Sequence, residues 1–150
     1  SSTGAGVRVV GSAAVDNPIL SNSIYGNAGG GIVLAAGGNA SQVAPTVTGA
    51  AIAGATVAIT GTLSGAVGNQ YRVQYFSSLA SDATTAATVQ GRLLLGYQDV
   101  TIGSGGTTAI DKVFAQGDIL VNDWASATAT LLVSGTPKNT SPFSLGRKVV

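Results

Sequence analysis

The sequence predicts an all-β protein in which a short solenoid-like part precedes a β-sandwich. The apolar periodicity of an α-helix is nearly absent, Thr and Val are abundant, and Gly occupies 22 of the 150 positions. Two short apolar segments near the N-terminus resemble each other at a spacing of 25 residues, which is in the range of one solenoid coil. From residue 46 onward, longer candidate strands follow one another at the spacing typical of a sandwich.

The two similar segments, 6–10 (GVRVV) and 31–35 (GIVLA), are the candidate strands of the solenoid part. Between them, segment 17–27 (NPILSNSIYGN) alternates short apolar stretches with Asn and Gly. Asn tolerates the left-handed backbone conformation that sharp turns require, so Asn22 and Asn27 are predicted turn residues. One or two coils are therefore expected before the chain changes character.

We predict two domains, with β-helix-like coils and a linker in residues 1–45 and the sandwich in residues 46–150. Gly37-Gly38 and Pro45 mark the boundary, because Gly and Pro interrupt regular structure. In the sandwich, segment 70–76 (QYRVQYF) alternates apolar and polar residues, which predicts a strand with one buried face. The candidate strands are 46–51, 56–62, 70–77, 92–102, 107–114, 118–121 and 126–134, with a last one near 143–149.

The composition excludes several classes of function. The chain contains no His or Cys, and its six acidic residues are all Asp, so a Cys/His zinc site, a disulfide and a His-centred triad are all excluded. The net charge of +1 gives no electrostatic basis for binding nucleic acid. No apolar run is long enough for a membrane span, and no secretory leader pattern is present at the N-terminus. We expect no enzymatic activity and no cofactor.

The remaining candidate chemistry is sparse. Asp111, Asp118 and Asp123 fall close together in sequence and offer a carboxylate cluster, but solvated turn and strand-edge positions are the simpler interpretation. An internal isopeptide bond between Lys112 and Asn122, or between Asn139 and a lysine, would need an apolar site that shifts the lysine toward neutrality. No motif indicates such a bond.

Several short motifs, in their order and spacing, point to a known arrangement. They are Ile19 to Asn27 followed by Gly30 to Leu34; then Asn39, Gln42 and Pro45; then Thr60 to Gly65 with Tyr71 to Phe76; Gln90-Gly91 and Leu95-Gly96; and Ala127 to Thr130 with Asn139 to Ser144. Together they resemble the C-terminal end of secreted bacterial right-handed parallel β-helix repeat proteins, in which the last coils run into an Ig-like or fibronectin-like β-sandwich. The resemblance covers most of residues 17–145.

The resemblance implies a fold, a location and two departures from the family pattern. The implied fold is all-β, with one or two terminal parallel β-helix coils followed by an Ig-like β-sandwich. The implied location is the bacterial cell surface or the extracellular medium. Val33 stands where family members often carry Asp, and Pro142 stands where Glu is usual. The acidic loop before the sandwich is also much shortened, so calcium binding of the family's type is not carried over to this chain.

A short solenoid suggests a function. A single coil cannot bury its apolar face, and the exposed end of a stack presents unpaired backbone groups. We therefore expect a non-enzymatic structural protein that associates with other copies of itself, or with the rest of a longer β-helix, to form a surface fibre, matrix or adhesin stalk. The predicted contact residues are the apolar stacking positions Val7, Val9, Ile19, Leu20, Ile24 and Ile32.

A binding module is the alternative function. The chain would then be an accessory part of a larger adhesin or carbohydrate-active protein and would contact glycans or a surface through the sandwich loops. Trp124, the one tryptophan, is the candidate for stacking against a sugar. A single Trp in a sandwich is more often a core residue, and both interpretations stay open at this point.

Overall fold

The computed structural model describes residues 2–150, and it confirms the all-β class. Short 3-10 turns at Gly38–Ser41, Ala80–Asp82 and Ala86–Thr88 interrupt the strands. The strands are β1 (Val7–Val10), β2 (Ile32–Ala35), β3 (Thr46–Ala53), β4 (Thr56–Ser64), β5 (Gln70–Ser78), β6 (Leu93–Thr101), β7 (Thr107–Ala109), β8 (Lys112–Ala115), β9 (Trp124–Val133), β10 (Thr136–Thr140) and β11 (Arg147–Lys148).

Two antiparallel sheets form the larger part of the molecule. In the first, here called the β5 sheet, the strand order is β10-β9-β5-β6, and β11 also pairs with β9. In the second, the β4 sheet, the order is β3-β4-β7, and β8 also pairs with β4. The inner faces of both sheets contribute to one apolar core, in which Ile59, Val73, Ile110 and Ala127 are fully buried. This arrangement agrees with the predicted sandwich, whereas its Ig-like character stays a prediction.

The alternation of β5 explains how the core forms. Tyr71, Val73 and Tyr75 point inward and are buried, as the period of two along a strand requires. The Tyr75 hydroxyl donates to the carbonyl of Ile110 on the opposite sheet and accepts a hydrogen bond from Gln98 Nε2 at 2.6 Å. A phenol buried in this way needs such partners, because an unpaired polar group in a core is costly.

The N-terminal part contains one parallel strand pair. β1 and β2 align Val7 with Ile32 and Val9 with Leu34, so the two similar sequence segments lie side by side. A Cβ atom at Gly6 would approach the Ile24 side chain and the Gly31 carbonyl to within 2.8 Å, so glycine is required where the chain enters β1. One parallel pair does not establish a β-helix, and the interpretation of residues 1–45 as terminal coils stays a prediction.

Several strand predictions differ from the structure, and the last candidate, near 143–149, is a strand only at Arg147–Lys148. Candidate strand 107–114 is two strands, β7 and β8. Between them, Ile110 N–H donates to the Gly61 carbonyl and the Asp111 carboxylate accepts from Gly61 N–H, which interrupts the strand. Candidate strand 118–121 is a loop closed by Asp123, whose carboxylate accepts from Leu120 N–H. Strand β10 was not predicted, since the proline in its sequence TPKNT argues against a strand. Strand β3 begins at Thr46, where the second domain was predicted to start.

Candidate functional site

Residues 16–27, here called the strap, run across the outer face of the β5 sheet, the face turned away from the core. Asp16 N–H donates to Asn139 Oδ1 at 2.7 Å, and Ile19 N–H donates to Thr140 Oγ1 at 2.8 Å. Farther along, Ser21 N–H donates to Gln74 Oε1 at 3.0 Å. The strap therefore passes from β10 toward β6, and side chains of the sheet receive its backbone donors.

The sheet face beneath the strap is polar but buried. This is unusual, because buried positions in a strand are mostly apolar. Hydrogen bonds compensate for the burial, except at Thr128, whose hydroxyl has no partner within residues 2–150. The buried polar residues of this face are Gln74, Ser126, Thr128, Thr130, Asn139 and Thr140.

A backbone bridge joins the end of the strap to the sheet. Ile24 and Gly91 exchange two hydrogen bonds, of 2.7 and 2.8 Å. The space beside Gly91 is filled by the rings of Phe76 and Phe143, which contact each other edge to face with centroids 5.3 Å apart. The Phe143 ring also lies where a Cβ atom of Gly31 would point, so the sandwich fills the space beside the residue that precedes β2.

The outer edge of β1 is free of backbone pairing within the described residues. Val7 N–H donates to Gly31 O and Gly11 N–H donates to Ala35 O, so both point toward β2. Because donors alternate along a strand, the N–H groups of Arg8 and Val10 point to the other edge. Both residues are exposed, and the Val10 side chain is 51% exposed. This edge is available to an added strand.

The predicted self-association residues do not share one exposed surface. Val9, Ile24 and Ile32 are buried inside this chain, where they fill the space between β1, β2 and the strap. Val7, Ile19 and Leu20 are half-buried. The apolar positions therefore stabilise the N-terminal part itself, and contact with a second copy through them stays a prediction.

Trp124 lies in a small apolar cluster with Ala83 and Val89 and is only 6% exposed. Its indole N–H donates to the Ala83 carbonyl at 3.2 Å, and the Lys148 ammonium lies 4.1 Å from the ring centroid. A sugar would have to displace Lys148 to stack on this ring. The core interpretation of Trp124 thus has geometric support, while its glycan contact stays a prediction.

The three candidate carboxylates differ in their hydrogen-bond partners, although Asp118 and Asp123 line the same cleft. Asp111 accepts from Gly61 N–H in the β4 sheet, and Asp123 accepts from the N–H groups of Ala80 and Leu120. Asp118 is exposed. Across residues 2–150, no group of three or more His, Cys, Asp or Glu side chains is placed to hold a metal ion.

Asn139, one of the residues predicted for an isopeptide bond, has another partner, as does the neighbouring lysine. Lys138 pairs with Asp16 at 3.1 Å, and Asn139 accepts from the backbone of the strap. The hydrogen bond that reaches Asn122 goes to its backbone carbonyl and comes from Lys148. The isopeptide bond itself stays untested.

A cleft of about 300 Å³ lies where the strap meets the end of the β5 sheet. Tyr25, 46% exposed, stands on one side, and the loop with Asp118 and Ile119 lines it as well. Arg92 lies with its guanidinium carbon 4.6 Å from the centroid of the Tyr25 ring. Asp82 accepts a hydrogen bond from Arg92 Nη1 at 2.9 Å and so fixes the guanidinium. No motif in the sequence marks this site, because its residues come from four separate segments.

Comparison with known proteins does not assign this chain to a family. No family model matches this sequence, and no curated protein matches it. In the described part of the chain, no helix is long and apolar enough to cross a membrane.

Proposed function

We propose that this protein is a non-enzymatic extracellular structural protein, a self-associating subunit of a surface fibre, a matrix or an adhesin stalk. The observation that carries the proposal is the free edge of β1, at which Arg8 and Val10 offer unpaired backbone donors. The surface adds support, since charged residues make up only 9% of the chain and few charges would lose water on association.

The proposal interprets residues 1–45 as the last coils of a parallel β-helix. The register of β1 on β2 is offset by one coil length, as in a solenoid, and the strap supplies a further side of the coil. The sandwich then packs against the last coil, with Phe143 beside Gly31 at the start of β2. The next coil, from another copy of the chain or from a longer β-helix, would add to β1.

Sedimentation velocity and negative-stain electron microscopy at increasing concentration test this proposal. The wild-type chain, of 14.6 kDa, should form larger species with rising concentration. Val10→Pro removes one outward donor, and Val10→Lys adds a charge beside Arg8, so both should remain monomeric. Val43→Lys is the matched control, because Val43 is similarly exposed but lies in the linker.

A wild-type chain that stays monomeric while the amide signals of β1 are well dispersed in NMR spectra would overturn the proposal. Assembly that persists unchanged in both Val10 variants would equally overturn the role of the β1 edge. A glycan- or surface-binding accessory module is the alternative function, and the cleft beside Tyr25 is the feature that favours it.

A further inference from the structure

The cleft beside Tyr25 has the size and position of a small-molecule site. Its volume of about 300 Å³ is at the lower end of the range for ligand pockets. It lies where the N-terminal part meets the sandwich, and such junctions are preferred places for binding sites. The β1 edge lies outside it, so a ligand here is independent of self-association.

One part of the cleft lining is apolar and fixed in place. The Tyr25 ring lies against the Arg92 guanidinium, and Arg92 is itself held by Asp82. Leu79 and Leu93 extend the apolar lining, and both have more than two fifths of their surface exposed. An aromatic ring and two leucines facing water at one site favour a ligand with an apolar face.

The polar groups of the cleft restrict the charge of the ligand. Asp118 has an exposed carboxylate that makes no hydrogen bond to any other group in residues 2–150. The Arg92 charge is balanced by Asp82, while the Asp123 carboxylate already accepts from two backbone N–H groups. An anion would therefore meet an unpaired carboxylate and no free cation, so an anionic ligand is disfavoured.

The Ser23 hydroxyl adds a further hydrogen-bonding atom. It donates to the Arg92 carbonyl at 2.6 Å, which leaves its oxygen lone pairs open to a ligand hydroxyl. The cleft thus combines an aromatic ring with acceptors at Ser23 and Asp118 and with spare N–H donors on Arg92. A compact ligand that carries C–H groups on one face and hydroxyls around its edge matches this pattern.

We propose that this cleft binds one neutral pyranose unit of a glycan. The C–H face of the sugar packs against the side of the Tyr25 ring that Arg92 leaves exposed, and its hydroxyls donate to Asp118 and accept from Arg92. The expected affinity for a single sugar is in the millimolar range, since one ring and a few hydrogen bonds are involved.

The experiment titrates the full chain with the methyl pyranosides of glucose, galactose, mannose and N-acetylglucosamine, followed by ¹H–¹⁵N NMR. At least one probe should shift the amides of residues 23–25, 92–93 and 118–120. Tyr25→Ala should weaken binding about tenfold or more, and Asp118→Asn should weaken it while leaving the rest of the spectrum unchanged.

Tyr97→Ala is the matched control. Tyr97 is also exposed and also lies under an arginine, with the Arg72 guanidinium carbon 4.3 Å from its ring centroid, but it stands on β6. This variant should keep the wild-type affinity. No shift with any of the four glycosides, an equal loss in Tyr97→Ala, or stronger binding of glucuronate or of phenol at the same amides would each overturn the proposal.

Discussion

The side chain of Asn39 pairs with the backbone of Asn17 as a neighbouring strand would. Its Nδ2 donates to the Asn17 carbonyl at 2.8 Å, and its Oδ1 accepts from Asn17 N–H at 3.1 Å. The same Nδ2 donates to the carbonyl of Thr140 at 3.1 Å. Asn39 is fully buried, so one amide group joins the start of the strap, the turn after β2 and the end of β10.

We predict that Asn39→Ala lowers the free energy of unfolding by about 2–4 kcal/mol, because buried backbone groups lose their partners. Asn39 also has a positive φ of 47°, which an alanine adopts with strain. Asn39→Gly is the control, since it removes the amide but tolerates this φ. It should recover only the part of the free energy of unfolding that Asn39→Ala loses to backbone strain. Chemical denaturation measures both variants. A glycine variant as stable as the wild type would show that the amide contributes nothing.

Gly91 is predicted to tolerate no side chain. An added Cβ would lie 2.5 Å from the Phe143 ring and 2.7 Å from the Phe76 ring, and Gly91 is the bridge partner of Ile24. Gly91→Ala should therefore separate the strap from the sheet and expose it to proteases. Limited proteolysis should cut the variant within residues 16–27 at least about tenfold faster than the wild type. Gly103→Ala, where a Cβ meets open space, is the control, and cutting at the wild-type rate in Gly91→Ala would refute the prediction.

We predict that Tyr75 makes the free energy of unfolding decrease at alkaline pH. Burial raises the pKa of its phenol above the ordinary value of 10, and the hydrogen bond from Gln98 opposes the shift. Below pH of about 10 the phenol is protonated in both folded and unfolded chains, so its contribution is fully present there. As the pH rises further, the unfolded chain loses the proton first, and the free energy of unfolding should fall by up to about 1.4 kcal/mol per pH unit.

Tyr75→Phe should lose this slope, at a pH-independent cost of about 1–3 kcal/mol for the unpaired Ile110 carbonyl and Gln98 amide. Tyr97→Phe, on the exposed side of β6, serves as the control. Urea unfolding at a series of alkaline pH values provides the measurement. If the slope persists in Tyr75→Phe, the burial of this phenol is not its cause.

The sequence predicted those strands that depend on a local residue pattern. The alternation of Tyr71, Val73 and Tyr75 predicted a strand with one buried face, and the repeat of segments 6–10 and 31–35 matches the pairing of β1 with β2. Both signals depend on the local period of the chain, which needs no knowledge of distant residues.

The site was not predictable in the same way. Tyr25, Arg92 and Asp118 are far apart in sequence, and only the fold brings them to one cleft. Trp124 was proposed as a glycan contact because of its residue type, yet its position at the start of β9 buries it. Gln74 and Thr140 lie in strands whose outer faces would ordinarily meet water, so nothing local indicates that the strap covers them.

The strap has a consequence for the order in which the protein folds. Its partners include Asn139 and Thr140, more than 120 residues later in the chain. Because synthesis begins at the N-terminus, the backbone donors of residues 16–27 lack their partners until almost all of the sandwich has been synthesised. The N-terminal part is therefore synthesised early but completed late, and during that interval its unpaired strands are exposed to other chains.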